Sequence, residues 1–133
     1  MKMTLELAKD IQSAAQKKAQ EMGVFCSIVV VDEGAWLVAL HRMNGAPAPT
    51  ANIAWDKAWT AASFGMPSAE IAKFGDSSKS NCGFNTQNWN DRLTPIPGGL
   101  PIKDGDKIIG GIGISGAALE QDVILAQDAI QAF

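Results

Sequence analysis

The sequence predicts an α+β protein in which a central antiparallel sheet is flanked by helices. Two observations support this fold class. Both ends of the chain, residues 4–22 and 117–133, carry apolar residues at the three- and four-residue spacing of an amphipathic helix. Between them, two pairs of apolar segments are each joined by a short polar turn. This is the pattern of a hairpin, which places its two strands antiparallel.

The first predicted helix and hairpin occupy residues 4–41. Thr4 suits the N-cap of the helix and Gly23 suits its end. A β-branched run at residues 24–31 predicts a strand, and residues 35–41 predict the return strand. Both faces of the return strand are apolar, and we expect Trp36 in the core. Such a strand needs cover on both sides, from helices on one and a partner subunit on the other.

The middle of the chain is predicted to contain two helices and a loop. Residues 50–64 predict a helix that Thr50 caps and Gly65 ends. Residues 67–74 predict a short second helix. Residues 76–92 are rich in Asn and Ser and predict a long polar loop. Loops of this length in compact domains are commonly functional.

The chain closes with a second hairpin and a helix. Strands are predicted at residues 100–103 and 107–114, around the turn Asp104-Gly105-Asp106, and the last helix is predicted at residues 117–133. A chain of 133 residues is long enough for one domain and too short for two. We therefore expect a single domain over residues 1–133.

Composition and charge argue against several classes of function. The net charge is -3 and the basic residues are scattered, which disfavours a nucleic-acid surface. No segment approaches the ~20 apolar residues of a membrane span. The N-terminus lacks the apolar core of a signal peptide, so we expect a cytoplasmic protein with no membrane partner.

Cys26 and Cys82 are then expected as free thiols, and with one histidine they make a poor set of metal ligands.

The glycine-rich segment at residues 111–116 matches the G-x-G-x-x-G pattern of dinucleotide-binding loops. That fingerprint needs a second parallel strand and an acidic residue about 20 positions further on, but only 17 residues follow Gly116. We interpret the glycines as sites where a strand packs closely against a helix or a ligand. The alternative is an anionic group bound beside Ser115, at the start of the last helix.

Three segments of the chain resemble one protein family. The first is the return strand ending in Leu40-His41-Arg42-Met43, and the second is the helical segment DKAWTA at residues 56–61. The third combines GGLP at residues 98–101, IGGIGISG at 109–116 and EQD at 120–122. Together they cover nearly the whole chain and resemble the GlcG/HbpS/PduO C-terminal family.

This resemblance implies an α-β-α fold of the profilin or PAS type and assembly into homo-oligomers, as dimers or larger. It also implies haem as a possible ligand, since several members bind it. If haem is bound, His41 is the candidate axial ligand because it is the only histidine. Otherwise the sequence predicts no cofactor and no metal.

Four polar residues are candidates for catalysis. His41 can act as an acid or base near neutral pH, or form an ordinary hydrogen bond at a strand end. Arg42 can clamp a carboxylate or join a surface ion pair. Lys57 lies among small apolar residues, where it can grip an anion or extend its ammonium group to solvent. Glu120 opens the last helix, where the helix dipole favours its charge, and like Asp122 it can act as a base if it faces a pocket.

Other residues are candidates for ligand binding, together with His41, Arg42 and Lys57. Trp55 and Trp59 share a helix face and can form an aromatic wall, although such pairs more often belong to a core or an interface. Trp89 lies in the polar loop, where it can close over a ligand or anchor the loop. A turn that can border a pocket is formed by Gly98, Gly99 and Pro101.

Two functions follow from these residues. The first is a small-molecule-binding protein, with haem or a small anionic metabolite as its ligand, accessory to a catabolic pathway. The alternative is a small catabolic enzyme that carries out proton-transfer, hydrolytic or lyase chemistry on a carboxylated small molecule. Spacing along the chain does not assemble a nucleophile, a base and an orienting group into a triad. The sequence therefore favours the binding function.

Overall fold

A computed structural model describes residues 1–75 and 90–133 of the chain. These residues form three layers, with a four-stranded sheet between helices, so the predicted α+β class is confirmed. The elements in chain order are α1 (Leu5–Met22), β1 (Ser27–Asp32), β2 (Leu37–Arg42), α2 (Pro49–Phe64), a 3-10 helix (Ser68–Gly75), β3 (Gly99–Asp104), β4 (Lys107–Ser115) and α3 (Leu119–Gln131).

The sheet has the order β2-β1-β4-β3, and every neighbouring pair is antiparallel. Both predicted hairpins are present, as β1 with β2 and β3 with β4. The first strand of the first hairpin, β1, and the second strand of the second hairpin, β4, are central, and their pairing joins the two hairpins into one sheet. β2 and β3 are therefore the two edges, and they lie three strand positions apart.

The two faces of the sheet are covered by different helices. One face carries Ile28, Val30 and Ile112, and it packs against α1 and α3 through side chains such as Ile11 and Leu125. The other face carries Val29 and Val31 and packs against the alanines of α2. Because side chains alternate along a strand, each residue of β1 and β4 is assigned to one of these two cores.

Close approach of α2 to the sheet depends on glycines in the strands. A Cβ atom on Gly113 would overlap the carbonyl oxygen of Ala54, and one on Gly111 would lie 2.6 Å from the carbonyl oxygen of Ala58. The G-x-G-x-x-G segment is thus a packing surface for a helix backbone, as the sequence predicted. α2 precedes β4 in the chain and runs over it, so the segment is not the loop of a βαβ unit.

The helix ends follow the predictions in part. Thr4 caps α1 by accepting a hydrogen bond from the Leu7 amide, and Gly23 ends the helix with a φ of 71°. α2 begins earlier than predicted, with Ala48 at the N-cap position and Pro49 in the first turn. The Thr50 hydroxyl instead donates to the carbonyl oxygen of Pro47. Proline supplies the helical φ there, so the hydroxyl is free for another role.

The expected position of Trp36 is wrong. Its side chain is 75% exposed, because it lies in the turn that precedes β2 rather than in the strand. β2 itself is an edge strand, and Leu37 and Leu40 remain exposed on it. Val38 and Ala39 of this strand pack against the core under α1 and α3, whereas Leu37 and Leu40 lack the cover that the sequence predicted.

Within the described ranges, no helix is long and apolar enough to cross a membrane. Most of the predicted polar loop, residues 76–89, lies outside the described residues, and Cys82 and Trp89 lie there as well. The described part resumes at Asn90 and reaches β3 through residues 91–98 without a regular element.

Substitution of Gly113 by Ala is expected to destabilise the protein by at least about 2 kcal/mol, because the added methyl group collides with backbone and cannot rotate away. Gly34→Ala is the matched control, since the nearest atoms there belong to the exposed side chain of Trp36. Urea unfolding of both variants measures the difference. Equal stability losses would mean that the α2 backbone can retreat from the sheet.

Candidate functional site

The most deeply buried charges are Lys57 of α2 and Asp122 of α3. Both side chains are only 1% exposed, and the Lys57 Nζ lies 3.1 Å from the Asp122 Oδ2. The same ammonium group donates a hydrogen bond of 2.7 Å to the carbonyl oxygen of Ile114 in β4. The Lys57 ammonium group thus links α2 on one face of the sheet to α3 on the other face and to β4 between them.

Burial governs the protonation of this pair. It lowers the pKa of Lys57 and raises the pKa of Asp122, while the attraction between the two groups opposes both changes. Burial together with the nearby Asp122 carboxylate raises the pKa of the Cys26 thiol to about 11. Cys26 is a free cysteine and stays protonated at neutral pH, so it is not a reactive thiolate.

Gly98 and Gly99 shape the space around Lys57. Gly98 has a φ of +126°, and a Cβ atom there would lie 2.8 Å from the Lys57 Nζ. A Cβ atom on Gly99 would overlap the Lys57 backbone carbonyl. The Gly99 amide also donates to the Ser68 hydroxyl. These two predicted ligand-binding glycines therefore surround a side chain of the protein itself.

The start of α3 already holds an anion, the side chain of Asp122. Its Oδ1 accepts a hydrogen bond of 3.1 Å from the Ala117 amide, and the Gln121 side chain accepts one from the Ala118 amide. The amides that the sequence offered to an external anion are thus satisfied internally. Glu120, two residues before Asp122, is exposed.

His41 lies on the opposite side of the sheet from Lys57. It is paired with Ile28, whose side chain belongs to the core under α1 and α3. The imidazole Nε2 is buried and has no hydrogen-bond partner within residues 1–75 and 90–133. Burial also lowers the pKa of His41 below its ordinary value of 6.5, so the ring is neutral at pH 7. A neutral imidazole with a free nitrogen is the form that binds metal ions.

Arg42 is exposed and follows His41 on the edge strand. Alternation along the strand turns it to the face opposite His41, beside Ser27, with which it is paired. Its guanidinium donates a hydrogen bond of 2.8 Å to the carbonyl oxygen of Ala46, in the loop before α2. The visible role of Arg42 is therefore to hold that loop against β2.

The tryptophans of α2 have different surroundings. The Arg92 guanidinium lies 3.5 Å from the centroid of the Trp55 ring, and its NH1 is 3.1 Å from the Asp56 carboxylate. Burial raises the pKa of Asp56, and Arg92 opposes that change. Trp59 is half-buried and packs against the core beneath α2. These contacts attach the chain after residue 89 to α2.

The described residues also enclose an open groove of about 340 Å³ between α1, α3 and the β3–β4 hairpin. Of the predicted ligand-binding residues that the structure describes, only Pro101 lines it. No sequence pattern predicts this groove, because its walls come from four segments that are distant in the chain and resemble ordinary core. They are Met1, Leu7, Ile11, Pro101, Ile102, Lys103, Ile109, Ile130, Gln131 and Phe133.

The four predicted catalytic residues do not form one site. Lys57 is buried beneath α2, His41 lies on the other face of the sheet, and Glu120 is exposed at the start of α3. Arg42 is exposed at the edge strand. Lys57 meets Asp122 and the two glycines, and among the described residues we find no other predicted site residue in contact with its ammonium group. This arrangement offers one buried ion pair and one isolated imidazole rather than an acid–base constellation.

Comparison with known proteins gives a consistent result. Residues 3–131 match the family model described as "Haem degrading protein HbpS-like". The chain is 34% identical to a 15.0 kDa protein in the dhaT-dhaS intergenic region of Citrobacter freundii, over 98% of this chain and 92% of the relative. It is 33% identical to GlcG of Escherichia coli K12, over 85% of this chain and 81% of GlcG.

A solved structure extends this similarity to the fold. The crystal structure of a PduOC:haem complex superposes with a TM-score of 0.91 at 26% sequence identity. The match covers 100% of this chain and 96% of the PduOC chain. The three-layer architecture is therefore shared from end to end.

Replacing Lys57 with Met is expected to lower the free energy of unfolding by about 3–5 kcal/mol, because the Asp122 carboxylate stays buried without its cation. A second substitution, Asp122→Asn, should recover part of this loss, since it removes the charge and keeps the acceptor for the Ala117 amide. Urea unfolding measures both variants.

The control for this prediction is Lys18→Met. Lys18 pairs with Asp128 at 3.4 Å, but the side chains are 39% and 40% exposed. Loss of this exposed ion pair should lower the free energy of unfolding by less than about 1 kcal/mol. If the two lysine substitutions have equal effects, the buried pair does not stabilise the fold.

Proposed function

The chain belongs to the HbpS-like family of haem-degrading proteins, and on this premise we propose that it is a small-molecule-binding protein whose ligand is haem. The family description and the haem complex of PduOC support this ligand. We further propose that the protein is accessory to a catabolic pathway in the cytoplasm. The accessory role and the cytoplasmic location rest on the sequence alone.

The observation that carries the proposal is the free Nε2 of His41. A buried polar atom without a partner costs about 1–3 kcal/mol, so a fold does not retain one without a reason. Its neutral ring needs no proton removed before it binds a metal. Since Nε2 is shielded from solvent, the imidazole must turn outward to reach a ligand. His41 is only partly buried and lies on an edge strand, so one side of β2 has no neighbouring strand.

The surroundings of His41 suit a large, flat, apolar ligand. On its face of the sheet, β2 also carries the apolar side chains of Val38 and Ala39, which are half-buried and pack against the same core as Ile28, the partner of His41. Covering such surface is favourable at about 25 cal/mol per Å². The residues present therefore fit haem, with His41 as the axial ligand. Bound haem would supply an iron centre, whose properties depend on its axial ligand and on the polarity around it.

Binding is favoured over catalysis by the protein residues themselves. Lys57 cannot touch a substrate at 1% exposure, and its hydrogen bonds are taken by Asp122 and the Ile114 carbonyl. His41 has no carboxylate or hydroxyl partner that would orient it as a base. The described residues bring no acid–base constellation together for the alternative, a small catabolic enzyme acting on a carboxylated small molecule.

Titration of the purified protein with ferric haem is expected to give a saturable Soret shift at one haem per chain. His41→Ala should lose the imidazole-ligated spectrum, because the described residues contain no second histidine. Free imidazole should restore that spectrum by entering the space left by the side chain. Visible absorption spectroscopy measures the wild type, the His41→Ala variant, and that variant with imidazole added.

The control is Asp106→Ala, in the exposed turn of the β3–β4 hairpin at the other edge of the sheet. It should bind haem as the wild type does. An unchanged spectrum in His41→Ala would remove His41 as the ligand. Absence of any saturable shift in the wild type would remove haem and favour a small anionic metabolite.

We also propose that the protein is a homo-oligomer that buries the outer edge of β2 against a second copy. Two features support this proposal. β2 pairs on one side only, and its outer edge carries exposed Leu37 and Leu40 next to Trp36. Protein edges of this kind are usually blocked by charges or proline, and among these residues neither is present before Arg42.

Leu37→Lys is expected to shift the protein toward monomer, because a charge at the edge must be desolvated on association. Leu119→Lys is the matched control, since Leu119 is 46% exposed and lies on α3 away from β2. Light scattering after size-exclusion chromatography measures the mass of each. A monomeric wild type, or equal effects of the two substitutions, would contradict the proposed interface.

A further inference from the structure

We propose that the groove between α1, α3 and the β3–β4 hairpin binds an amphipathic carboxylate with an unbranched apolar tail, such as a medium-chain fatty acid. This inference goes beyond the haem proposal and does not rest on it. His41 lies on β2, while the groove borders β3, and the two central strands separate them. The two sites can therefore be tested independently.

The floor and walls of the groove are apolar. Ile11, Ile102 and Ile109 form the floor and are 1%, 6% and 3% exposed. Leu7 of α1 and Ile130 of α3 form half-buried walls. A ligand tail lying between these walls would remove their remaining apolar surface from water, which is the main source of affinity in such sites.

The polar groups of the groove select an anion. Lys103 and Gln131 line it, and both donate hydrogen bonds. Among the described lining residues none is acidic. The nearest carboxylate in the hairpin, Asp104, is held 2.8 Å from the Met1 amine and is thereby paired. Lys103 therefore presents one positive charge beside an apolar surface, in a chain whose net charge is -3.

Volume limits the size of the tail. The groove measures about 340 Å³, whereas a dry cavity of about 150 Å³ holds one benzene ring. A chain of about ten carbons fits the larger volume by the same comparison. The groove is open on one side, which leaves space for a carboxylate at the rim near Lys103.

Decanoate and decanol are the probes, with binding measured by calorimetry and by the NMR shifts of the isoleucine methyl groups. Wild-type protein should bind one decanoate per chain and shift the methyl signals of Ile102 and Ile109. Lys103→Glu should weaken decanoate about fivefold, as expected for loss and reversal of an exposed charge contact, and leave decanol unchanged. Leu7→Trp should fill the groove and abolish binding of both probes.

Lys107→Glu is the matched control, since it makes the same charge change on the same hairpin but does not line the groove. It should bind decanoate as the wild type does. Equal weakening by Lys103→Glu and Lys107→Glu would overturn the proposal, because the attraction would then be general. Absence of saturable binding, shifts confined to other methyl groups, or full binding by a folded Leu7→Trp would overturn it as well.

Haem titration of the same variants separates the two proposals. Lys103→Glu and Leu7→Trp should keep the haem spectrum of the wild type, because both residues line the groove beside β3 and His41 does not. Loss of decanoate binding with intact haem binding identifies the groove as its own site. Competition between decanoate and haem for one site would overturn the proposal of a separate site.

Discussion

The buried ion pair of Lys57 and Asp122 is the constraint on which the centre of this fold depends. Desolvating two charges is costly, and the cost is offset only if both groups keep their hydrogen bonds. The Ile114 carbonyl and the Ala117 amide supply those bonds. The pair thus fixes α2 and α3 against opposite faces of β4. The same requirement explains Gly98, since any side chain there would displace the ammonium group.

Packing around this pair leaves the functional surfaces at the two edges of the sheet. The face under α2 is closed by alanines and glycines that bring the helix backbone onto the strands. Little space remains there for a ligand. The two candidate binding features lie elsewhere. They are the Nε2 of His41 on β2 and the open groove beside β3. A protein of this size can therefore present two independent binding surfaces, one at each edge.

Sequence reasoning about the site succeeded for some residues and failed for others. Lys57 was recognised as unusual because it lies among small apolar residues, and its burial agrees with that. Its role could not be predicted, because Asp122 is 65 residues away and meets it only after the sheet forms. Trp36 was misplaced because strand periodicity does not reveal where a turn ends. The groove was missed because four remote segments build it.

The sequence by itself determined the kinds and order of the elements. These features depend on interactions over a few residues, so they can be recognised in the sequence. They are the spacing of apolar residues, the N-cap of α1, the left-handed Gly23 and the two hairpin turns. Only the tertiary structure decided which strands became edges, which charge neutralised Lys57 and which apolar residues stayed exposed. Those outcomes depend on contacts between distant segments, whose energies are set by burial and not by neighbours in the chain.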